Sequence, residues 1–441
     1  MRAVSLEGYK SFFLKQRIKL APVTIFAGAN SSGKSSALQP LLLMKQTIES
    51  QYDPGTLLLA GANIKFTSLE QMLSKRPGEN QKTHFTVEIE IDDDWTVGVT
   101  YSRKDEYGIG VKNVRLKGPG EIVIQFWEGK QFADEEATAL TKISQLAAAF
   151  QQQFEKQKLP LKLVWSAVSA RCFPDIALGY AAGAGEHVSE IERTSILSDL
   201  RRKIVEIIHI QGLRGNPERT YPSTARISKE FPGVFTDYVA SALQRWQEDH
   251  DPRLELLGGD LKRLGLSWKV ETRAVHDTQV EIRVSRLPGP TRGGARDVVN
   301  LADVGLGVSQ VLPFLVALRV AKRGQIVFVE QPEIHLHPRA QYDLADVILE
   351  ATARGVHVWL ETHSASLLRA FQTKVAESVL DPKDLALNWF SRDVATGSTV
   401  VSTAEVSPLG QYGKWPVDFD DVSLDIEKQF AESVARKVYG D

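Results

Sequence analysis

The chain opens with alternating apolar and polar positions, and further along the apolar spacing switches between that of strands and that of helices. A second apolar run, 23–26, ends in a glycine-rich loop, and from Lys34 to Glu49 the leucines recur at helical spacing. This order predicts strand, strand, loop and helix. From His84 to Phe126 the period returns to two, as in FTVEIEI, WTVGVTY and EIVIQF, which predicts several antiparallel strands.

The middle of the chain has longer stretches at helical spacing. Residues 133–157 predict one helix, and further helices are predicted around 187–208 and 233–250. A strand pair is predicted at 268–273 and 279–286, before a loop rich in glycine and proline. The remaining pattern predicts a helix at 306–321, a strand at 325–329, a helix at 338–354 and a strand at 356–361. No heptad array extends beyond 133–157, which argues against a long coiled-coil arm.

Composition narrows the class of protein without naming a partner. The formal net charge of −2 over 441 residues gives no global attraction to nucleic acid, so any such binding needs a local patch. A single cysteine, Cys172, excludes an intramolecular disulfide framework and fits a reducing compartment. No run approaches the roughly 18 apolar residues of a membrane span. We therefore expect a cytoplasmic protein with no membrane partner.

The glycine-rich loop carries the strongest chemical signal. Gly28-Ala-Asn-Ser-Ser-Gly-Lys-Ser35 matches the P-loop pattern and lies between a predicted strand and a predicted helix. Its glycines let the backbone wrap a phosphate, while Lys34 would reach the β and γ phosphates and Ser35 would ligate Mg²⁺. The predicted nucleotide-binding residues are Gly28, Asn30, Ser31, Ser32, Gly33, Lys34, Ser35 and Ser36. The predicted cofactors are ATP and Mg²⁺.

Two later strands end in residues suited to phosphate chemistry. The apolar run 326–329 ends in Glu330-Gln-Pro-Glu333, where a carboxylate could hold Mg²⁺ or orient water, although a solvated strand end is the alternative. The run 356–360 ends in Glu-Thr-His363-Ser, and that imidazole could reach the γ-phosphate or the attacking water. A purely structural histidine is the alternative reading of His363.

A third segment predicts a second anion site. Gly305, Gly307, Ser309 and Gln310 open the helix predicted at 306–321, and glycines followed by serine at a helix start suit an anion, although a simple N-cap is the alternative. Ser309 precedes Glu330 by 21 residues, and Glu330 precedes His363 by 33. This order and spacing resemble the layout of ABC-type ATPases.

Six segments narrow the resemblance. Tyr9 to Phe12, GANSSGKSS, Gly212 to Pro217, GLGVSQVLP, EQPEIHLHPRAQ and ETHS are similar to the RecF/SMC-like, or OLD-like, AAA-family ATPases of bacteria, a group that includes anti-phage members. The resemblance implies an α/β fold: a P-loop ATPase head with a mixed sheet flanked by helices, an antiparallel β subdomain and an inserted, mostly helical subdomain. It divides the chain into an N-terminal lobe at 1–130, the helical insertion at 131–265, a C-terminal lobe at 266–400 and an extension at 401–441.

The same resemblance implies a shared nucleotide site. ATP bound to the Lys34 loop of one protomer would be completed by Gly305, Gly307, Ser309 and Gln310 of another, so a homodimer or larger homo-oligomer is expected. Tyr9, Lys10 and Phe12 would lie near the base or ribose. Ser35 and Glu330 would hold Mg²⁺.

One departure from the family pattern concerns catalysis. Glu330 is followed by Gln331 where a second acid is common, and glutamine can position water but cannot accept a proton as a carboxylate does. Either Glu330 or Glu333 then serves as base, or hydrolysis is slow. The catalytic candidates are Glu330, Gln331, Glu333 and His363. His335 and His337 near Glu333 could mimic a metal cluster, but a loop leading into the helix at Pro338 is the favoured reading.

Three functional readings compete. A transporter subunit is disfavoured because 275 positions separate Lys34 from Ser309. A RecF-like repair protein would bind duplex DNA through a basic face, for which a solvated helix or loop face is the alternative reading. The candidate residues are Arg201, Arg202, Lys203, Arg283, Arg286, Arg292 and Arg296. The favoured reading is an anti-phage ATPase that acts as sensor and scaffold for a separate effector, a nuclease or toxin. It is preferred because no nuclease-like acidic set follows His363, and Asp418, Asp420 and Asp421 suit an exposed turn.

Overall fold

A computed structural model gives the architecture. It describes residues 1–91, 95–104, 108–118, 123–127, 130, 132, 156, 162–168, 171–181, 189–193, 195–212, 214–223, 231–287, 289, 297–413, 428–429 and 432–434. Within these ranges no helix is both long and apolar enough to cross a membrane.

The described strands and helices alternate along the chain. The strands are β1 (Ala3–Glu7), β2 (Gln16–Lys19), β3 (Val23–Gly28), β4 (His84–Glu90), β5 (Thr96–Arg103), β6 (Ile109–Lys117), β7 (Val123–Phe126), β8 (Lys162–Val168), β9 (Asp175–Ala181), β10 (Ser189–Arg193), β11 (Ile208–Ile210), β12 (Tyr221–Pro222), β13 (Val270–His276), β14 (Gln279–Ser285), β15 (Val298–Asn300), β16 (Ile326–Glu330), β17 (His357–Glu361), β18 (Leu385–Arg392) and β19 (Thr399–Thr403). The helices are α1 (Gln39–Glu49), α2 (Ser195–Val205), α3 (Val239–Glu248), α4 (Pro252–Arg263), α5 (Leu306–Val320), α6 (Pro338–Ala353) and α7 (Ala365–Ala376).

A six-stranded sheet places the two ends of the chain side by side. Its order is β11-β16-β17-β3-β18-β19, and every pair is parallel except β18 with β19. Strand β17 lies between β3 and β16, with Glu361 opposite both Phe26 and Glu330. The carboxyl ends of these three strands therefore meet at one edge, as ligand sites in parallel sheets require.

Both faces of this sheet are covered. Val23, Ile25 and Ala27 of β3 belong to a core shared with α5, whereas Phe26 points into a second core shared with α1 and the antiparallel strands. Burial on both faces explains why these strands read as continuous apolar runs rather than alternating ones.

The period-two region forms a second sheet, as predicted. Its order is β2-β1-β4-β5-β6-β7, and all its pairs are antiparallel. Strand β4 alternates buried and half-buried positions along its length, because one face packs on the core. Two smaller sheets contain β8 to β10 and β12 to β15.

The structure differs from the sequence prediction in several places. The first helix begins at Gln39 rather than Lys34, because residues 34–38 form turns, in which the N–H of Ser36 donates to the carbonyl of Gly33 and that of Ala37 to the carbonyl of Lys34. The helix predicted at 187–208 is instead strand β10, helix α2 and strand β11, and α4 was not predicted at all. Strand β11 forms because it pairs with β16, a tertiary contact that overrides local spacing.

The insertion at 131–265 is also less helical than expected in the part that the structure describes. It contains strands β8 to β12 as well as helices α2 to α4. Apart from Lys156, the long helix predicted at 133–157 lies outside the described residues.

Candidate functional site

The P-loop follows β3 and has two positions that require glycine. Gly28 has φ +140°, and a Cβ there would lie 2.1 Å from the carbonyl oxygen of Phe390. Gly33 has φ +105°, and its Cβ would lie 2.6 Å from Oγ1 of Thr399. Both residues therefore combine a left-handed backbone with no room for a side chain, which accounts for the glycines of the motif.

A cavity of about 460 Å³ opens on the P-loop. That volume is within the usual range for small-ligand sites. The cavity is lined by Lys10, Ser11, Asn30, Ser31, Gly33, Lys34, Ser35, Ser36, Gln331, Glu361, His363 and Arg392. The structure thus brings together most of the predicted phosphate-loop residues with Gln331 and His363, which lie about 300 positions away in the sequence. Ser32 is fully buried beneath them.

Lys34 is folded against its own loop. Its Nζ donates hydrogen bonds to the carbonyl oxygens of Gly28, at 3.0 Å, and Ala29, at 2.7 Å. Only 4% of the residue is exposed, and burial lowers the pKa of the ammonium while the nearby Glu361 opposes that shift. The ammonium is therefore held at the cavity wall by neutral partners, which an anionic phosphate would outcompete.

Glu361 is the carboxylate nearest to the P-loop hydroxyl. Ser35 Oγ donates a hydrogen bond of 3.0 Å to Glu361 Oε1. Burial raises the pKa of Glu361 to about 7, and the negative charges of Glu330 and Glu333 add to the effect, while Ser35 and Lys34 oppose it. Sequence reasoning missed this residue, although an acid placed directly before Thr-His at a strand end was the available signal.

Glu330 is held on the other side of the strand edge. Its Oε1 lies 3.1 Å from Nε2 of His209, and its Oε2 accepts a 3.1 Å hydrogen bond from the backbone N–H of Gly212. Burial raises the pKa of Glu330, but these partners and Arg214 outweigh it, so the net pKa lies below the ordinary value. The structure therefore pairs Ser35 with Glu361 rather than with Glu330, because β17 intervenes between their strands.

Gln331 and Glu333 have different environments. Gln331 has φ 47°, a left-handed conformation costly for a residue with a side chain, and its N–H donates to the carbonyl of Glu361 at 2.8 Å. Glu333 is 7% exposed and accepts hydrogen bonds from Oγ1 of Thr362, at 2.7 Å, and from the backbone N–H of His363, at 2.9 Å. Glu333 does not line the cavity, and its hydrogen bonds instead stabilise the loop of Thr362 and His363.

The histidines near this edge also differ. Burial, followed by the charge of Lys34, lowers the pKa of His363, which favours its neutral form at the cavity wall. His337 caps α6 by accepting from the N–H of Arg339. Over the described ranges, no three His, Cys, Asp or Glu side chains come together as a metal-binding group, so His335 and His337 form no such cluster with Glu333.

The predicted second anion site lies outside this cavity. Gly305 is the N-cap of α5 and is exposed, with no side-chain hydrogen bond capping the helix. Ser309 lies one turn inside, where its hydroxyl donates to the carbonyl of Leu306 at 3.0 Å, so it is not the N-cap. Gln310 is buried and donates to the carbonyl of Gly215 at 2.8 Å. Gly307 lies close to the carbonyl of His335.

Arg214 connects this helix start to the acidic strand end. Its guanidinium donates to the carbonyl oxygens of Gln211, Gln310 and Glu330, at 2.9, 2.6 and 2.6 Å. Burial lowers its pKa to about 10. The resemblance marked the segment around Arg214 without giving it a role, and only the structure identifies this bridge.

Two residues expected near the base or ribose are core residues instead. Tyr9 and Phe12 are fully buried, and the hydroxyl of Tyr9 donates to Oε1 of Gln39 at 3.1 Å. Their apolar rings complete the core under the first strands, so of the three predicted residues only Lys10 lines the cavity.

Part of the chain matches a known family model. Residues 235–369 match a family model described as "AAA domain, putative AbiEii toxin, Type IV TA system". The matched segment includes α5, the Glu330 strand end and His363. A search of curated proteins found no match. The match covers 135 of the 441 residues, and over that segment it supports the resemblance to AAA-family ATPases.

Several solved structures are similar to the chain over nearly its whole length. One is an SmcHead bound to the C-winged helix domain of ScpA, at 10% identity over 92% of this chain and 98% of that chain, with a TM-score of 0.46. The SMC head domain from Thermotoga maritima is 12% identical over 92% and 100%, with a TM-score of 0.37. An Smc head domain with an extended coiled coil, bound to the C-terminal domain of ScpA derived from Pyrococcus furiosus, is 11% identical over 98% and 99%, with a TM-score of 0.43.

Proposed function

We propose that this chain is an ABC-type ATPase that binds and slowly hydrolyses Mg-ATP, associates as a homodimer through composite nucleotide sites, and controls a separate effector in bacterial anti-phage defence. The observation that carries the proposal is the single cavity in which the P-loop meets Gln331, Glu361 and His363. The residues that line this cavity include a lysine that can bind phosphate, oxygen atoms that can ligate a metal, and side chains that can orient water.

The residues present fit Mg²⁺. Ser35 Oγ and Glu361 Oε1 are adjacent, and hydroxyl and carboxylate oxygens are the donors that Mg²⁺ prefers. When bound, Mg²⁺ would neutralise charge on the phosphates. Lys34 would bind the β and γ phosphates, and Glu330 would contribute negative charge from the next strand.

Slow hydrolysis follows from the groups that face the cavity. Gln331 can orient an attacking water but cannot take its proton, and Glu333 is directed into the loop before His363 rather than into the cavity. A neutral His363 can accept or donate one hydrogen bond near the γ-phosphate. Glu361 also lines the cavity, but it is hydrogen-bonded to Ser35 and would be engaged by Mg²⁺. Hydrolysis therefore lacks a free, well-placed base, and the ATP-bound state should persist.

The exposed start of α5 supports association, although most of this helix is buried. Gly305 and Leu306 stand exposed at the helix start, and a Cβ on Gly305 would meet nothing within 4 Å. The uncapped N–H groups of this helix can bind a phosphate that approaches from outside. Because they do not line their own chain's cavity, we assign them to the partner's nucleotide.

The defence role is favoured over DNA repair on two grounds. The matched family description names a toxin of a type IV toxin–antitoxin system. In addition, several basic residues proposed for DNA bind neighbours within the chain: Arg201 donates to the carbonyl of Phe173, Arg202 to Asp199, and Arg283 to Glu271. Arg292 and Arg296 lie outside the described residues.

Size measurement with and without ATP tests the association. Wild-type protein should form a dimer or larger species with Mg-ATP or a non-hydrolysable analogue, and Lys34→Ala should bind no nucleotide. Ser309→Arg should block association while leaving nucleotide affinity near that of wild type. Ala376→Arg, which adds the same charge at an exposed position of α7, is the matched control. Unchanged association of Ser309→Arg would overturn the composite site.

A second experiment addresses the biological role. Co-expression with neighbouring genes should yield a co-purifying effector that a phage trigger releases or activates. Duplex DNA binding that strengthens with ATP and weakens steeply with salt would instead identify a repair ATPase.

A further inference from the structure

We propose that Glu361 is the carboxylate that binds the metal of Mg-ATP together with Ser35. Glu330 and Glu333, at the end of the neighbouring strand, would not ligate it directly. This inference rests on the proposed function and deepens it by assigning the site's metal-binding acid. Of the three carboxylates gathered at this sheet edge, Glu361 lies on the strand next to β3 and is the one that lines the phosphate cavity.

The hydrogen bonds of the three acids separate their roles. Both oxygens of Glu330 have partners, namely His209 and the N–H of Gly212. Glu333 has one oxygen bonded to Thr362 and to the N–H of His363; its other oxygen is also buried without a partner, but Glu333 does not line the cavity. Glu361 has one oxygen on Ser35 and a second, Oε2, that is buried with no hydrogen-bond partner.

An unpartnered buried carboxylate oxygen points to a ligand. Glu361 is 5% exposed, and leaving such an oxygen without a donor costs free energy that a cation would recover. Lys34 Nζ bonds to backbone carbonyls rather than to this oxygen. A cation between Ser35 and the nucleotide phosphates would supply the missing partner.

Glu361 also supplies a carboxylate beside Gln331, which has no charge. The two residues sit at the ends of adjacent strands, where the N–H of Gln331 donates to the carbonyl of Glu361. Glu330 and Glu361 therefore lie side by side at the ends of adjacent strands, and only Glu361 lines the cavity together with the neutral Gln331.

Metal dependence of nucleotide binding tests this assignment. Binding of a fluorescent ATP analogue would be followed while Mg²⁺ is titrated, and again in EDTA. Glu361→Gln should raise the Mg²⁺ concentration for half-maximal binding by about 10- to 100-fold, the usual effect of losing a group that tunes a metal site. Binding in EDTA should be unchanged or tighter, because a negative charge near the phosphates is removed. Mn²⁺ bound in the presence of ATP, measured by electron paramagnetic resonance, should fall in parallel.

Two further variants make the test specific. Glu350→Gln, which removes a carboxylate from the Arg319 ion pair far from the cavity, should leave the Mg²⁺ titration unchanged. In a double-mutant cycle, Ser35→Ala and Glu361→Gln should be strongly non-additive, because both alter one metal site. Additive effects, or a Mg²⁺ requirement in Glu361→Gln equal to that of wild type, would overturn the inference while leaving the proposed ATPase intact. Wild-type protein that binds no Mg-ATP would instead overturn the proposed function.

Discussion

The raised pKa of Glu361 predicts that Glu361→Gln stabilises the metal-free protein at alkaline pH. Burial holds the pKa of this carboxyl at about 7 in the folded chain, whereas its ordinary value is 4.5. Folding therefore favours the protonated form, and between these two values the folded protein binds more protons than the unfolded chain. The stability of the wild type must fall as pH rises through this window.

The magnitude follows from the same two values. The span from 4.5 to about 7, at about 1.4 kcal/mol for each tenfold change in proton affinity, corresponds to about 3 kcal/mol of destabilisation at pH 8. Glutamine is neutral at every pH, and its amide oxygen can still accept from Ser35. The variant should thus gain up to about 3 kcal/mol over wild type at pH 8 and almost nothing at pH 4.5.

Urea unfolding of both proteins in EDTA, between pH 4.5 and 8.5, measures this difference. The difference in free energy of unfolding between the variant and wild type should increase with pH, with a midpoint between the two pKa values, and should level off above pH 8. With saturating Mg-ATP, wild type should become the more stable of the two proteins, because only wild type has the carboxylate proposed to bind the metal. A gap that is independent of pH, or a variant less stable than wild type at pH 8 in EDTA, would refute the reasoning about this carboxyl.

Three other predictions concern turnover, the bridge and the cysteine. Gln331→Glu should raise ATP turnover at least about tenfold, since a positioned general base contributes roughly 10² to 10⁴ in rate. Slow hydrolysis would be contradicted by a robust wild-type rate that survives Glu333→Ala and disappears with Gln331→Ala. Arg214→Ala should weaken ATP-dependent association while sparing nucleotide binding, as judged by size measurement and by fluorescence titration; equal losses in both would mean general misfolding. Burial raises the pKa of Cys172 from 9.0 to about 12, so at pH 8 its thiolate should be about a thousandfold scarcer than in the unfolded chain, and alkylation should report unfolding; rapid labelling of the folded protein would contradict its burial.

Much of the fold was predictable because its signals are local. The P-loop, α5, β16 and β17 each combine a clear apolar period with a clear boundary, and the structure places them within a few residues of the predicted bounds. The period-two region likewise forms an antiparallel sheet. The spacing and boundary residues that reveal these elements are local, so a single sequence displays them, although the strands form by pairing with distant strands.

The parts that escaped prediction depend on strand order. Glu361 matters because β17 separates β3 from β16, and no local pattern reveals that order. His209 reaches Glu330 only because the short strand β11 joins the same sheet, in a region that local spacing assigned to a helix. Arg214 donates to three backbone carbonyls, and because every residue has one, the sequence does not indicate which residues Arg214 contacts.

The Arg214 bridge has a consequence for how two ligands would influence each other. Its guanidinium is bonded to the start of α5 and to the backbone of Glu330, so neither can shift without straining the other. In a closed pair, the tip of α5 would touch the partner's ATP while the Glu330 end borders the chain's own ATP. Occupation of one pocket would then alter the affinity of the other, and ATP-dependent activity should show a Hill coefficient between 1 and 2 that drops to 1 in Arg214→Ala.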